Sequence, residues 1–243
     1  MKTNILSVNF DNISHSQALE RLLVFLDSNK PNTVFTPNPE MVMLAQKNKK
    51  FCSVLNSADL VLPDGIGIVY ASRLTKSKIP KRVTGIDLLT SLLPHIASSG
   101  HSLYFLGAAP GVAETAAARL KAQFKELSIA GVHHGFFKDE DDVRIIAGIN
   151  ASKADILLVG LGFPRQEEWI FRHKDKINSK ILMGVGGSFD VLSGNLSRAP
   201  KLFQKLGLEW FFRLMRQPSR IWRQRVLVKF ALRVIYKKLR GEL

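Results

Sequence analysis

The stretch LYFLGAAPGVAETAAARLKAQF, residues 103–124, passes from an apolar run through glycine and proline into an alanine-rich segment. An apolar run that contains aromatic residues and ends in glycine predicts a buried strand. Pro110 suits the start of a helix, because proline lacks the N–H that the first turn leaves unpaired. The stretch therefore predicts a strand, a glycine loop and a helix in succession.

Five times along the chain an apolar run ends in Gly, Pro or Asn and is followed by a helical pattern. The predicted strands are Thr33–Thr36, Ala58–Leu62, Ser102–Leu106, Asp155–Val159 and Lys180–Gly184. Strands that alternate with helices form a parallel sheet, which right-handed crossovers cover on both faces. The predicted fold class is α/β, with a mostly parallel, Rossmann-like sheet.

Composition indicates a globular chain inside the cell. The 243 residues are 46% hydrophobic and 23% charged, which is ordinary for a folded domain. The one cysteine, Cys52, cannot form an intramolecular disulfide, and we expect it in the core of a protein from a reducing compartment. Asp11 comes too early for a secretory signal, and no apolar run reaches the roughly 18 residues of a membrane span.

Positive charge is concentrated at the C-terminus. Ten of the 15 excess positive charges lie beyond Pro200, where 12 Lys or Arg residues accompany Glu209 and Glu242. Such an asymmetry indicates a polyanionic partner, either nucleic acid or an anionic membrane surface. We predict an α/β domain over residues 1–197 and a basic helical appendage over residues 198–243.

The appendage reads as two helices divided at Pro218. On the second helix, Ile221, Val228, Leu232, Ile235 and Leu239 share one face, and Arg225, Lys229, Arg233 and Lys237 share another. This pattern is typical of a basic amphipathic helix on a membrane surface. The alternative is a helix packed on the domain with solvated charges.

Ligands of open α/β sheets bind beyond the carboxyl ends of the strands. Helix N-termini at that edge offer free N–H groups, which suit a phosphate. The strand-to-helix loops place there Thr36, Asn38, Asp64, Gly107, Gly111, Gly162, Gln166, Gly186 and Gly187.

Asp64 follows the predicted strand in LVLPDGIGIV, residues 60–69. An aspartate in a Pro-Asp-Gly turn often bonds its own backbone. Its place on the ligand edge, before glycines that admit a substrate, favours a general base instead. In TPNPEMVMLAQK, Asn38 and Pro39 predict the N-cap and first residue of the next helix.

The glycine loops GAAPG (107–111) and GVGGS (184–188) both follow strands. Neither contains GxGxxG, so a nicotinamide oxidoreductase is not supported, and we interpret both as nucleotide or diphosphate loops. Gln166 is either an ordinary helix-start residue or a neutral donor for a phosphate or sugar oxygen.

No metal-ligand set is evident. His133 and His134 read as loop residues, and the DEDD run at 139–142 reads as a solvated turn and helix start. We therefore predict no cofactor and no metal. Arg213, Arg216, Arg220 and Arg223 recur at helical spacing, and they would form one cationic stripe over phosphates if the break at Pro218 is mild.

Eight motifs resemble, in order, those of the WecG/TagA/CpsF family of bacterial glycosyltransferases. The resemblance extends from about residue 5 to residue 240. The motifs are TPNPEMVMLAQK, LVLPDGIGIVYAS, KRVTGIDLL, LYFLGAAPGVAE, HHGFF, LGFPRQEEWI, GVGGSFDVLSGNLSRAP and LGLEWFFRL.

The resemblance implies an inverting, metal-independent transfer of N-acetylmannosamine, or a related sugar, from its UDP conjugate. The acceptor would be N-acetylglucosamine linked through diphosphate to undecaprenol, as in wall teichoic acid synthesis. By the same resemblance Asp64 is the general base, with Thr36 and Asn38 beside it, Arg82 near the leaving group and Gln166 in the PKQE-like motif. Arg213, Arg220 and Arg223 would close over the diphosphate. The motif here reads FPRQE, which departs from the family pattern at Phe163 and Arg165.

The resemblance also implies a cytoplasmic enzyme held peripherally on the inner face of the cell membrane, and possible self-association. It implies no nucleic-acid partner. On electrostatics alone, a basic nucleic-acid-binding α/β protein remains the alternative.

Overall fold

The computed structural model describes residues 1–200, 202–203, 207–216 and 221–243. Its strands are β1 (Lys2–Ile5), β2 (Val8–Asp11), β3 (Asn32–Phe35), β4 (Leu60–Val61), β5 (Ser102–Gly107), β6 (Ser128–His133), β7 (Ile156–Gly160) and β8 (Ile181–Gly184). Its longer helices are α1 (His15–Leu26), α2 (Pro39–Ala45), α3 (Lys49–Asn56), α4 (Ile66–Ser72), α5 (Gly85–Ser99), α6 (Val112–Gln123), α7 (Asp142–Ser152), α8 (Arg165–His173), α9 (Ser188–Leu192), α10 (Glu209–Arg216) and α11 (Ile221–Leu239).

In the described part of the chain, a six-stranded sheet has the order β4-β3-β8-β7-β5-β6. Each neighbouring pair runs parallel. The five predicted strands are all in this sheet. The α/β class with a parallel sheet is therefore confirmed.

Helices cover both faces of the sheet, because side chains of each strand alternate between two cores. One core contains Phe35, Leu106, Val159 and Leu182 together with side chains of α2, α3, α4, α7 and α8. The other contains Val34, Phe105, Leu158 and Met183 together with side chains of α1, α5, α6 and α9. Chain leaving β3 therefore turns to one face, whereas chain leaving β8 turns to the other. Loops that diverge in this way leave a crevice at the sheet edge.

Two regions of β structure were not predicted. The hairpin β1–β2 turns at Leu6 and Ser7, both of which have positive φ, although neither is a usual residue for that conformation. Strand β6 is at the edge of the sheet and is only partly buried. Its Gly131 lies against the ring of Tyr104, where an added Cβ would come within 2.4 Å.

In the appendage the structure describes helices α10 and α11, and the predicted division at Pro218 lies outside the described residues. Helix α11 packs against α2 and α4. Phe230 and Val234 of α11 are buried in the domain core, and a Cβ at Gly67 of α4 would lie 3.8 Å from the Phe230 ring. The appendage is thus docked on the elements that follow Asn38 and Asp64.

The opposite face of α11 is open to solvent. Val228, Leu232, Ile235 and Leu239 are 49% to 82% exposed, and Arg225, Lys229 and Arg233 beside them are exposed too. The helix is thus packed on the domain and also presents an apolar stripe outward, and its place on a membrane surface stays a prediction. No helix among the described residues has the length and apolarity that crossing a bilayer requires.

The interpretation of residues 139–142 as a solvated turn was wrong at Asp142. Asp142 is the first residue of α7, and its side chain is buried. The carboxylate accepts a hydrogen bond from Trp169 Nε1 (2.8 Å) and lies 2.8 Å from His173 Nε2. A run of acidic residues in the sequence does not show which of them has a buried hydrogen-bond partner about thirty residues away along the chain.

Candidate active site

Glycines end the three central strands at the carboxyl edge of the sheet. Gly107 of β5 is in register with Gly160 of β7, and Gly184 ends β8 beside them. A Cβ at Gly107 would lie 2.4 Å from the carbonyl oxygen of Gly160, and one at Gly160 would lie 2.7 Å from the Phe189 ring. The absence of side chains therefore lets backbone and loops pack closely along this edge.

Asp64 follows β4 on a loop that backbone hydrogen bonds tie to two other loops. The Asp64 N–H donates to the Pro37 carbonyl (3.2 Å), and the Val83 N–H donates to the Pro63 carbonyl (2.9 Å). The segments that carry Asn38, Asp64 and Arg82 therefore lie side by side. Main-chain bonds fix the position of this part of the edge, so its geometry does not depend on side-chain packing alone.

Thr36 and Asn38 follow β3 in the same group of loops. Asn38 caps α2, with its Oδ1 accepting from the Met41 N–H at 3.0 Å, as predicted. Thr36 lies against the start of α5, since a Cβ at Gly85 would come within 3.2 Å of Thr36 Oγ1 and 3.9 Å of the Gly184 carbonyl. Gly85 is thus the point at which the β3 loop, α5 and the end of β8 meet.

Gln166 is buried at the start of α8, with both ends of its amide engaged. The Gly186 N–H donates to Gln166 Oε1 (2.8 Å), and Gln166 Nε2 donates to Glu167 Oε1 (2.5 Å). Because a backbone N–H can only donate, it determines which end of the amide is oxygen. A Cβ at Gly184 would lie 2.5 Å from Gln166 Nε2, so this amide packs directly on the end of β8.

Glu167 is a feature of the site that sequence reasoning missed. Its side chain is fully buried, and burial raises the pKa of its carboxyl to about 7 in spite of the hydrogen bond from Gln166. Among the described residues, Glu167 Oε2 has no hydrogen-bond partner. The only signal in the sequence was the position of Glu167 next to Gln166. It was a weak signal, because a charged residue in the first turn of a helix is usually solvated.

Arg165, at which this chain departs from the family motif, joins two loops of the edge. Its guanidinium donates to the carbonyls of Gly135 (2.8 Å) and Phe137 (2.7 Å) and lies 4.5 Å above the Phe137 ring centroid. The Arg165 side chain therefore joins the FPRQE and HHGFF motifs.

Arg82 is paired with the appendage. Its guanidinium contacts the Glu209 carboxylate of α10, and Arg198 Nε lies 3.7 Å from the same carboxylate. Arg198 Nη2 also donates to Asp87 Oδ1 (2.5 Å), and Thr84 Oγ1 donates to Asp87 Oδ2 (2.6 Å). Sequence reasoning selected Arg82 but missed its partners, because these residues are far apart along the chain.

The arginines around Asp87 stabilise the ionised form of its carboxyl group. Burial tends to raise the pKa of Asp87, but hydrogen bonds from Thr84 and Arg198, and the charges of Arg198 and Arg82, hold that pKa below its usual range. Asp87 therefore remains an anion at neutral pH, and it balances one of the two guanidinium groups.

Other predicted residues lie farther along the same edge. Gly107 ends β5 and Gly111 follows it, and β7 and β8 separate this strand from β3. Gly187 lies near Asp190 of α9. Arg220 is outside the described residues, as are the side chains of Arg213 and Arg223. Within residues that the structure describes, no group of three or more His, Cys, Asp or Glu side chains is arranged to hold a metal ion.

The parallel sheet, with glycines and the loops of Thr36, Asp64 and Gln166 at its carboxyl edge, defines a Rossmann-like α/β protein. Comparison with known families assigns it more narrowly. The model of the glycosyl transferase WecG/TagA/CpsF family matches residues 3–243. The chain belongs to this family.

Similar proteins come from Staphylococcus aureus. In strains MRSA252, MW2 and NCTC 8325 / PS 47, proteins named N-acetylglucosaminyldiphosphoundecaprenol N-acetyl-beta-D-mannosaminyltransferase are each 35% identical to this chain over 239 residues. The matches cover 98% of this chain and 93% of each relative.

Proposed function

We propose that this chain is an inverting, metal-independent glycosyltransferase. It moves N-acetylmannosamine, or a related sugar, from a UDP-sugar to N-acetylglucosamine linked through diphosphate to undecaprenol. The observation that carries the proposal is the 35% identity, over 98% of the chain, to a protein whose name gives the N-acetylmannosamine and its undecaprenyl-diphosphate-linked acceptor. The disaccharide lipid would serve the synthesis of a cell-surface polysaccharide of the teichoic acid type.

Asp64 would act as the general base. A base must be ionised and lie about 2.6 to 3.2 Å from the hydroxyl it serves. The acceptor's 4-hydroxyl gives its proton to Asp64 as its oxygen bonds to the anomeric carbon, and the bond to the UDP oxygen breaks on the opposite face. The configuration inverts, and the electron pair leaves with UDP. The main-chain bonds between Asp64 and Pro37 and between Pro63 and Val83 support this role, because they hold the loop in place.

Arg82 would offset the negative charge that develops on the departing UDP. Prearranged donors and positive charges stabilise a transition state more than they stabilise the ground state. Arg82 is one residue from the backbone bond that joins Val83 to Pro63 beside Asp64, which supports a place near the reacting atoms.

Gln166 and the glycine loops would hold the donor. One hydrogen of the Gln166 amide serves Glu167, and the second would donate to a phosphate or sugar oxygen. Gly107, Gly111 and Gly186 all have positive φ. A Cβ at Gly111 or Gly186 would meet nothing within 4 Å, so these two positions leave room for a diphosphate to approach the backbone, whereas Gly107 packs against Gly160. Gly187 would complete the loop after β8.

The appendage, residues 198–243, would attach the enzyme peripherally to the inner face of the cell membrane. The exposed apolar stripe of α11 (Val228, Leu232, Ile235 and Leu239) suits a lipid interface, and its neighbouring Arg and Lys side chains suit anionic headgroups. A nucleic acid would bind the Arg and Lys side chains but would leave the apolar stripe exposed to water. The tail arginines Arg213, Arg220 and Arg223 would then close over the diphosphate of an acceptor whose lipid stays in the bilayer.

One assay tests the reaction. The full chain is incubated with a panel of UDP-sugars, including UDP-N-acetylmannosamine, its uronic acid and UDP-hexoses, and with a lipid-diphosphate-linked N-acetylglucosamine. We expect UDP release and an inverted disaccharide product that persist in excess EDTA. Absence of transfer from every UDP-sugar would refute the function, and activity that EDTA abolishes would refute metal independence.

A second assay tests the partners. The chain should sediment with anionic vesicles and not with neutral ones, and short duplex or single-stranded DNA should not compete. Preferential binding to DNA would favour the alternative function. Light scattering would show whether the apolar stripe is instead covered by a second copy of the chain.

A further inference from the structure

Two arginines from distant segments meet at one carboxylate of the appendage. Arg82 precedes α5 and Arg198 follows α9, and both contact Glu209 at the first position of α10. The three side chains are only 13% to 27% exposed. An ion pair so sheltered is stronger than a surface pair, because less water screens it.

Within the part of the chain that the structure describes, Glu209 leaves one donor of Arg198 without an acceptor. Arg198 Nε is buried and has no hydrogen-bond partner among the described residues, since its 3.7 Å approach to Glu209 is too long for a hydrogen bond. Asp87 accepts from Nη2 of the same guanidinium, so Nε is the donor of Arg198 that is left without an acceptor in the described residues. A phosphate or diphosphate carries more charge and more acceptor oxygens, and guanidinium groups match it in geometry.

The pair lies beside the proposed reaction site. Arg82 adjoins the bond between Val83 and Pro63, and Gly85 lies against Thr36. Glu209 reaches it because the chain turns at Gly207, which has positive φ and sits so close to Ile66 of α4 that a Cβ would come within 2.9 Å. The carboxylate is therefore delivered by a backbone that rests on the domain.

We propose that Arg82 and Arg198 form a diphosphate-binding pair, which Glu209 and the diphosphate of a nucleotide would occupy in turn. The identity of the ligand as a nucleoside diphosphate rests on the proposed function. Asp87 and Thr84 are positioning residues, because Asp87 accepts from Arg198 Nη2 and Thr84 donates to Asp87. Displaced Glu209 would move with α10, so that donor binding and the position of the appendage are coupled.

If Glu209 occupies the arginine pair, a ligand can bind only to the molecules in which the pair is open. The apparent dissociation constant is then the intrinsic one divided by the open fraction. Replacing Glu209 by an isosteric neutral residue should therefore tighten binding. A carboxylate that only fastens α10 predicts the opposite, because its loss would loosen the appendage without freeing a useful site.

The experiment is calorimetric titration of the full chain with inorganic pyrophosphate and with UDP. Glu209→Gln should bind pyrophosphate at least about fivefold more tightly than wild type. Glu242→Gln removes the same charge from the same appendage, where Glu242 pairs with Lys237 and Arg240, and should leave affinity unchanged. Unchanged or weaker binding by a folded Glu209→Gln chain would overturn the proposal.

Arg198→Gln gives an independent test. It should lower pyrophosphate affinity about tenfold, whereas Arg144→Gln, an exposed arginine paired with Asp141, should have no effect. Wild-type affinity in Arg198→Gln would remove this residue from the pair. A failure of the proposed function would give a different result. UDP would then bind no more tightly than pyrophosphate, but the pyrophosphate affinities of the variants relative to wild type would still be as predicted here.

Discussion

The carboxyl edge of the sheet and helix α11 are positioned by different interactions. At the edge, main-chain hydrogen bonds join the loops of Asn38, Asp64 and Arg82, and Gly186 bonds to the Gln166 amide. Helix α11 is docked mainly by two buried apolar side chains, Phe230 and Val234, and leaves an apolar stripe outside. Directional bonds can hold a reacting group in place, whereas apolar contact provides area with little directional constraint. We expect mutations in the two regions to affect different measurements.

Asp64→Asn should have the largest effect, because the amide keeps the shape of the side chain but cannot take a proton. Transfer should fall about 10³-fold or more, with UDP affinity near that of wild type. Steady-state assays and UDP titration measure the two quantities. Full activity in this variant would refute the base assignment, and joint loss of UDP binding would point to a collapsed loop.

Leu232→Glu with Ile235→Glu should weaken binding to anionic vesicles about 100-fold, because it removes two apolar side chains from the bilayer interface. Turnover with a short-chain, water-soluble acceptor should be retained. The control is Val24→Glu with Val143→Glu, which makes the same change at exposed apolar residues of α1 and α7. Equal losses in both double variants would show that α11 has no special role.

Glu167→Gln should change the pH dependence of stability. The pKa of this carboxyl is about 7 in the folded chain, against an ordinary value of 4.5. The contribution of this carboxyl group to the free energy of unfolding is therefore fully present below pH 4.5 and is lost as the pH rises through 7. The variant should gain about 2 kcal/mol in free energy of unfolding relative to wild type between pH 5.5 and 8.5. Urea titrations at the two pH values test this, with Glu168→Gln as control. Parallel pH curves would contradict the prediction.

Gly184→Ala should have the smallest of these effects. The new methyl group would meet Gln166 Nε2 at 2.5 Å and push the amide from the Gly186 N–H, which should weaken UDP-sugar binding about tenfold. Gly148→Ala on α7, where a Cβ meets nothing within 4 Å, is the matched control. An unchanged KM in Gly184→Ala would mean that the amide does not serve the donor.

Features with strong local signals were predictable from the sequence. The strand, glycine loop and helix of residues 103–124 follow from hydrophobic pattern, and the Asn38 cap with Pro39 behind it follows from capping chemistry. The helix of that stretch begins at Val112 and not at the predicted Pro110. The hairpin at Leu6 and Ser7 was missed because its turn uses residues that seldom adopt positive φ. Strand β6 was missed because an edge strand with partial burial lacks a continuous apolar run.

The sequence by itself determined the parallel α/β order and placed Thr36, Asn38, Asp64 and Gln166 at one edge, because strand direction places every strand-to-helix loop there. Only the tertiary structure decided that Glu167 is buried, that Arg82 and Arg198 meet Glu209, and that α11 packs by Phe230 and Val234 with its apolar stripe outward. The reason is physical: local pattern reports the period and direction of an element. Burial and ion pairing depend on which distant element is packed beside it.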